Sequence, residues 1–148
     1  MIFLRDILLF KMDTASKVMK RNLQEAFYQE GIDISVDEWM LMKVLAETID
    51  ATQQQLSKLT ARNPSSISRT LDLLGEKKFV QRSKSENDRR VYIAVLTDRG
   101  RAYLNNNMNT ILELEEMITG GFSTQKKEKI ATFLDELLSE MTQKEEVK

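Results

Sequence analysis

The stretch SENDRRVYIAVLTDRG, residues 85–100, decides the fold. A polar tip carrying Arg89 and Arg90 runs into Val91–Leu96, a run of β-branched, aromatic and aliphatic residues. Thr97 and Asp98 then supply a helix-start signal. Just upstream, Phe79–Lys84 reads as a matching strand, so the tip joins a two-stranded hairpin. An isolated hairpin is marginal in water and has to lean on helices.

Working outward, the segment before the hairpin reads as three short helices. Ser35 and Glu38 form a capping box that opens a helix over 36–47, carrying Trp39, Leu41, Met42 and Leu45. After a turn at Asp50–Ala51, Thr52 and Gln55 form a second box, opening a short helix expected to bury Leu56 and Leu59. Asn63 is a good N-cap, and Pro64, the only proline, suits the first helical position. The helix it opens puts Ile67, Leu71 and Leu74 on one face and Ser65, Ser66, Ser68, Arg69 and Asp72 on the other, and is expected to end near Lys78. Short helix, tight turn, second helix is the helix-turn-helix order. With the hairpin it describes a winged helix.

Long amphipathic helices flank this middle. Leu8, Met12, Ala15, Met19, Leu23 and Phe27 recur at helical steps within residues 5–30, and Gly31 is a stop. A helix over 98–118 ends at Gly120–Gly121. A last helix from Ser123 to about 142 carries Ile130, Phe133, Leu134, Leu137, Leu138 and Met141, with a frayed tail beyond.

Composition narrows the chemistry. One domain is the default for 148 residues. No Cys and no His are present, which removes disulfides, thiol redox sensing, Cys/His metal sites and the usual catalytic triads. No cofactor, no metal and no enzymatic activity are expected. The start, MIFLRDILLFK, has charges in mid-run and no cleavage site, and no run suits a membrane span, so a cytoplasmic location is expected. The net charge of −1 conceals a division: residues 55–101 hold eleven Lys/Arg against five Asp/Glu, while the rest holds eleven against eighteen. A basic middle between acidic ends suits an anionic partner for the middle alone.

In a winged helix the second helix of the pair lies in the DNA major groove. Ser65, Ser66, Ser68 and Thr70 offer hydroxyls to phosphates or bases. Arg69 suits a bidentate contact to guanine. Arg62 and Asn63 at the turn, with Lys84 on the first strand, extend the polar set. Arg89 and Arg90 at the wing tip suit a narrow, electronegative minor groove. Asn87 and Asp88 supply turn chemistry. Other readings stand beside these: helix-start chemistry for Ser65 and Ser66, and an ion pair with Asp72 or Glu76 for Arg69.

The segment D88-R-R-V-Y-I-A-V-L-T-D-R-G100 resembles the wing motif of the MarR family of bacterial winged-helix transcription regulators, D-x-R…v-x-L-T-x-x-G. The run from Ser66 to Arg82 resembles that family's recognition helix and first wing strand. The resemblance implies a mainly α fold, a winged helix-turn-helix with a two-stranded wing and long terminal dimerisation helices. It assigns 35–102 to DNA binding, and 1–34 with 103–148 to dimerisation. It implies a homodimer reading a pseudo-palindromic double-stranded operator, with Arg90 entering the minor groove, Asp88 holding the tip and repression the expected direction. It also implies a small aromatic or phenolic effector, for which Phe10, Met12, Met19, Trp39 and Met42 are the candidate pocket. Two departures accompany it: Lys78 stands where the family often has Gly, and Gly75 falls inside the recognition helix. The alternative is a winged-helix protein-interaction module that does not bind DNA.

Overall fold

The computed structural model describes residues 3–86 and 88–146, with the side chains of Arg5 and of 142–146 left aside. Asn87, one half of the expected turn pair, lies outside the described residues. A 3-10 turn at Leu4–Asp6 precedes α1 (Leu8–Gln29) and α2 (Val36–Glu47). Next come β1 (Ala51–Thr52), α3 (Gln53–Thr60), α4 (Pro64–Glu76), β2 (Val80–Lys84), β3 (Tyr92–Leu96), α5 (Asp98–Thr119) and α6 (Thr124–Glu146). The chain divides into two compact units, residues 1–114 and 115–148.

The caps form as their residue types dictate. Ser35 Oγ accepts from Glu38 N at 3.1 Å while Glu38 Oε2 accepts from Ser35 N at 2.6 Å. Thr52 and Gln55 repeat the arrangement at 3.2 and 2.8 Å. Each such cap is worth about 1 kcal/mol. Glu38 is buried, so its charge needs a partner. Lys77 supplies it, with Nζ 3.1 Å from Glu38 Oε1 and 2.8 Å from Asp33 O. The start of α2 is thereby tied to the end of α4.

In the first unit, Phe27, Leu41, Met42, Leu56, Ile67, Leu74 and Ile111 are fully buried, drawing on five helices. Full burial of one such side chain contributes about 1.5–3 kcal/mol. Phe27 meets Trp39 edge-on, with ring centroids 6.3 Å apart. Ile67, Leu71 and Leu74 of α4 all face this core.

The sheet has order β1-β3-β2 and is antiparallel throughout. The wing pairs Val80 with Leu96 through to Lys84 with Tyr92. The end of β3 is locked to helix α5 at one point. Thr97 Oγ1 donates to Lys78 O at 2.7 Å and accepts from Gly100 N at 3.0 Å. A methyl group on Gly100 would lie 2.1 Å from Phe79 O. The T-x-x-G pattern is therefore the chemistry of this junction: a hydroxyl that caps α5 while gripping the end of α4, and a residue without Cβ where two backbones touch.

Several expectations differ from the structure. The helix near the start begins at Leu8, not residue 5, because Ile7 stays extended and offers no capping side chain. Helix α4 ends at Glu76; Lys78 takes a left-handed φ of 61°, the conformation for which Gly is the ordinary choice. Leu59 is exposed, since α3 is short and only Leu56 of the pair points inward. Strand β1, two residues pairing Ala51 with Ala94, stands where a turn is expected, because so short a strand carries no periodic signal. Helix α6 continues to Glu146, past the expected frayed boundary.

Candidate nucleic-acid interface

Helix α4 presents its polar face through a local chain of caps. Ala61 closes α3 with a left-handed φ of 50°, and Asn63 Oδ1 accepts from Ser66 N at 2.8 Å. Gln53 at the start of α3 donates from Nε2 to Pro64 O at 3.0 Å. Gln53, Pro64, Ser65, Ser68, Arg69 and Asp72 together line a shallow polar depression of about 500 Å³.

Arg69 is exposed and, among the described residues, its side chain forms neither an ion pair nor a hydrogen bond. The alternative partner Asp72 is taken by Arg82 of β2, Nη2 to Oδ1 2.8 Å. The same Nη2 lies 3.5 Å from Ser68 Oγ, the long limit of a hydrogen bond. The outward row of β2 therefore sits beside the polar face of α4. By strand alternation Lys84 falls on the same side as Arg82.

At the wing tip Asp88 Oδ1 accepts from Arg90 N at 3.0 Å, and Asp88 O accepts from Val91 N at 2.9 Å. Ser85 N donates to Val91 O at 2.9 Å, closing the loop at its base. Arg89 and Arg90 are exposed, and their guanidinium groups have no partner among the described residues. Lys84 is equally open. Four cations, one on α4 and three on the wing, thus stand unneutralised. Side chains of this kind attract phosphate oxygens and base edges.

Four members of the expected contact set have side chains engaged within the protein. Thr70 is buried, and its hydroxyl donates to Ser66 O at 3.0 Å. It also accepts from Arg62 Nη2 at 2.9 Å, and the same Nη2 donates to Ser66 Oγ at 2.7 Å. The side chains of Arg62 and Ser66 are engaged within the protein, and that of Asn63 is spent on its cap. The sequence reading missed Gln53 and Arg82. Neither has a periodic signal, and each matters only through a partner eleven or ten residues away.

A second cavity, a cleft of about 540 Å³, lies among α1, α2 and α3. Its walls include Lys20, Trp39, Met40, Val44, Leu59 and Arg62, and Lys20 is paired with Asp37 at 2.5 Å. Of the five side chains expected to form a pocket, only Trp39 lines this cleft. Met42 is fully buried in the core, because it lies on the inward face of α2. Phe10 and Met19 are exposed on α1, and Met12 is half-buried there. Among the described residues no cluster of carboxylates is placed to hold a metal ion, and no helix is long and apolar enough to cross a membrane.

A helix-turn-helix followed by a β-hairpin that carries cations at its tip defines a winged helix-turn-helix protein. Residues 34–92 match the sequence model of the MarR family. Similar solved structures cover nearly the whole chain. A MarR/EmrR family transcriptional regulator from Acinetobacter sp. ADP1 is 22% identical, with a TM-score of 0.82 over 96% of this chain and 99% of its own. The transcriptional repressor CouR, bound to a 23-mer DNA duplex, is 18% identical, with a TM-score of 0.79 over 91% and 94%. BpsR of Bordetella bronchiseptica, whose DNA binding is regulated by 6-hydroxynicotinic acid, is 15% identical, with a TM-score of 0.81 over 93% and 96%. At such identities the likeness speaks to the fold. No curated protein matches the sequence.

Proposed function

We propose that the protein is a homodimeric, sequence-specific regulator that binds double-stranded DNA and acts as a repressor. The observation that carries this reading is the set of unneutralised cations Arg69, Lys84, Arg89 and Arg90, beside a polar depression on α4. Residues 35–102 form the DNA-binding region. Helix α4 enters the major groove, and Arg90, braced by Asp88, enters the minor groove. Ser65, Ser68 and Arg69 meet base edges. The fold shared with the DNA-bound repressor CouR supports this placement.

Residues 1–34 and 103–148 form the dimerisation region. Each unit leaves an apolar helix face uncovered: Leu8, Leu9 and Met19 on α1, and Ile130, Phe133, Leu138 and Met141 on α6. Apolar surface of this extent marks an interaction site. A two-fold dimer would place two reading helices about 34–36 Å apart, one turn of DNA.

The cleft beneath Trp39 is the candidate seat of a small aromatic effector that releases DNA. Its apolar walls with a few cationic groups suit an aromatic body bearing an acidic or phenolic group. The effector-regulated BpsR, of the same fold, supports the presence of such a molecule.

The test is selection of bound sites from a random duplex library, with the assembly state measured by sedimentation. The proposal expects a dimer and a pseudo-palindrome with half-sites about 10 base pairs apart. A monomer, or a library that shows no enrichment, contradicts it. Enrichment that persists undiminished with aromatic acids present removes the effector part alone.

A further inference from the structure

Arg62 belongs to the turn of the helix-turn-helix, yet its side chain points back into the fold. Its backbone is rooted on α3: Arg62 N donates to Ser57 O at 3.1 Å, and Ser57 Oγ donates to Arg62 O at 2.5 Å. From that anchor Nη2 reaches Ser66 Oγ and Thr70 Oγ1, two hydroxyls one helical turn apart on α4. They lie on a flank between the buried stripe Ile67–Leu71–Leu74 and the exposed row Ser65–Arg69–Asp72. A donor rooted on one helix that grips two positions on its neighbour fixes the neighbour's rotation about its own axis. Among the described residues no carboxylate pairs with Arg62, so the charge is not held by an ion pair elsewhere.

We infer that Arg62 is a positioning residue that sets the rotation of α4 through Ser66 and Thr70, and is not a phosphate contact. The inference rests on the DNA-reading role proposed above. Rotating a helix in a groove displaces every base-reading side chain together, so the clasp governs discrimination between sequences. A phosphate contact would govern affinity on all sequences alike.

The experiment measures affinity for the selected duplex and for a random duplex across salt concentrations. It compares the full-length chain with Arg62→Ala, Thr70→Val and the double variant, each checked by circular dichroism for folding. Arg62→Ala is expected to lower affinity for the selected duplex roughly tenfold or more. Affinity for random duplex and the log–log salt slope stay unchanged. Thr70→Val, which keeps shape and removes one hydroxyl, acts in the same direction, and the double variant is no worse than the poorer single one. If Arg62→Ala does not fold, Thr70→Val alone carries the test. The inference is overturned if Arg62→Ala weakens both duplexes alike and reduces the slope by about 0.9, the signature of one lost phosphate contact. It is equally overturned if Thr70→Val leaves discrimination intact. A wild-type chain that binds no duplex removes the DNA reading itself. Whether the clasp exists is then decided separately: strictly additive thermal shifts of the two variants would show the residues uncoupled.

Discussion

Arg82 on β2 places Nη2 2.8 Å from Oδ1 of Asp72 on α4, so the acid one turn along from Arg69 is neutralised by the wing and the Arg69 guanidinium is left free. Both partners are about half-exposed, so the pair adds at most about 1 kcal/mol to stability. Its larger effect is on the field that a duplex meets. Asp72→Asn removes a negative charge and releases Arg82. The expected outcome is tighter binding to random duplex and a salt slope steeper by about 0.9 if Arg82 gains one phosphate. Denaturant unfolding should show a stability change within about 1 kcal/mol. Weaker binding to random duplex would mean that the pair chiefly orients the wing.

Arg69 and Arg90 are both unpartnered among the described residues, but they stand on different elements. Arg69→Ala is expected to relax preference at one base position, costing about 1–3 kcal/mol on the preferred sequence. Arg90→Ala is expected to weaken binding on most sequences, since the minor groove offers a degenerate pattern and is recognised through its width and potential. Parallel site selections with the two variants distinguish the effects. Equal loss at every position for Arg69→Ala would make it a phosphate contact.

Gly100 and Gly75 predict opposite signs for the same substitution. A Cβ on Gly100 would stand 2.1 Å from Phe79 O, so Gly100→Ala has to push the Phe79 backbone away from α5 and costs about 3 kcal/mol or more. A Cβ on Gly75 would find only Val80 O, at 3.9 Å, an ordinary contact. Gly75→Ala is therefore expected to stabilise by about 0.5–1 kcal/mol, the helix-interior penalty of glycine recovered. Chemical denaturation of the two variants measures both.

Much of this was legible in the sequence because it is local chemistry. Ser35 with Glu38, Thr52 with Gln55, and Asn63 with Pro64 each announce a helix start within four residues, and all three form. The stripe Ile67–Leu71–Leu74 declares which face of α4 is buried. The same arithmetic left Thr70 among the contact residues, since spacing alone does not show that a hydroxyl on the flank is claimed by Arg62 across a turn. Strand β1 is too short for any period to register, and it exists because Ala51 finds Ala94 across the sheet. Four of the five pocket candidates lie away from the cleft beside Trp39 for a related reason. Met and aromatic residues at helical spacing mark an apolar stripe, and whether that stripe meets core or solvent is a tertiary fact. Met42 meets the core and Met19 meets solvent.

Tyr103 gives a pH signature. Burial is the largest cause holding its hydroxyl above the ordinary 10.0. The hydrogen bond from Asp33 N opposes that shift, while the charges of Asp33 and Glu38 reinforce it. A folded value above the unfolded one means that the neutral form is favoured by folding. Its contribution is complete below about pH 10. It is lost as pH rises through the folded value. Thermal melts of the native chain and Tyr103→Phe should therefore converge at alkaline pH. Parallel curves across that range would show the hydroxyl to be uncoupled from folding.

If Arg69, Lys84, Arg89 and Arg90 meet a DNA backbone and its grooves, equilibrium binding to the selected duplex falls between 50 and 200 mM salt. The expected result is a linear log–log decline, amounting to about a 10³-fold loss if six phosphates are neutralised. Affinity that stays flat over that range, or no complex at 50 mM, contradicts it.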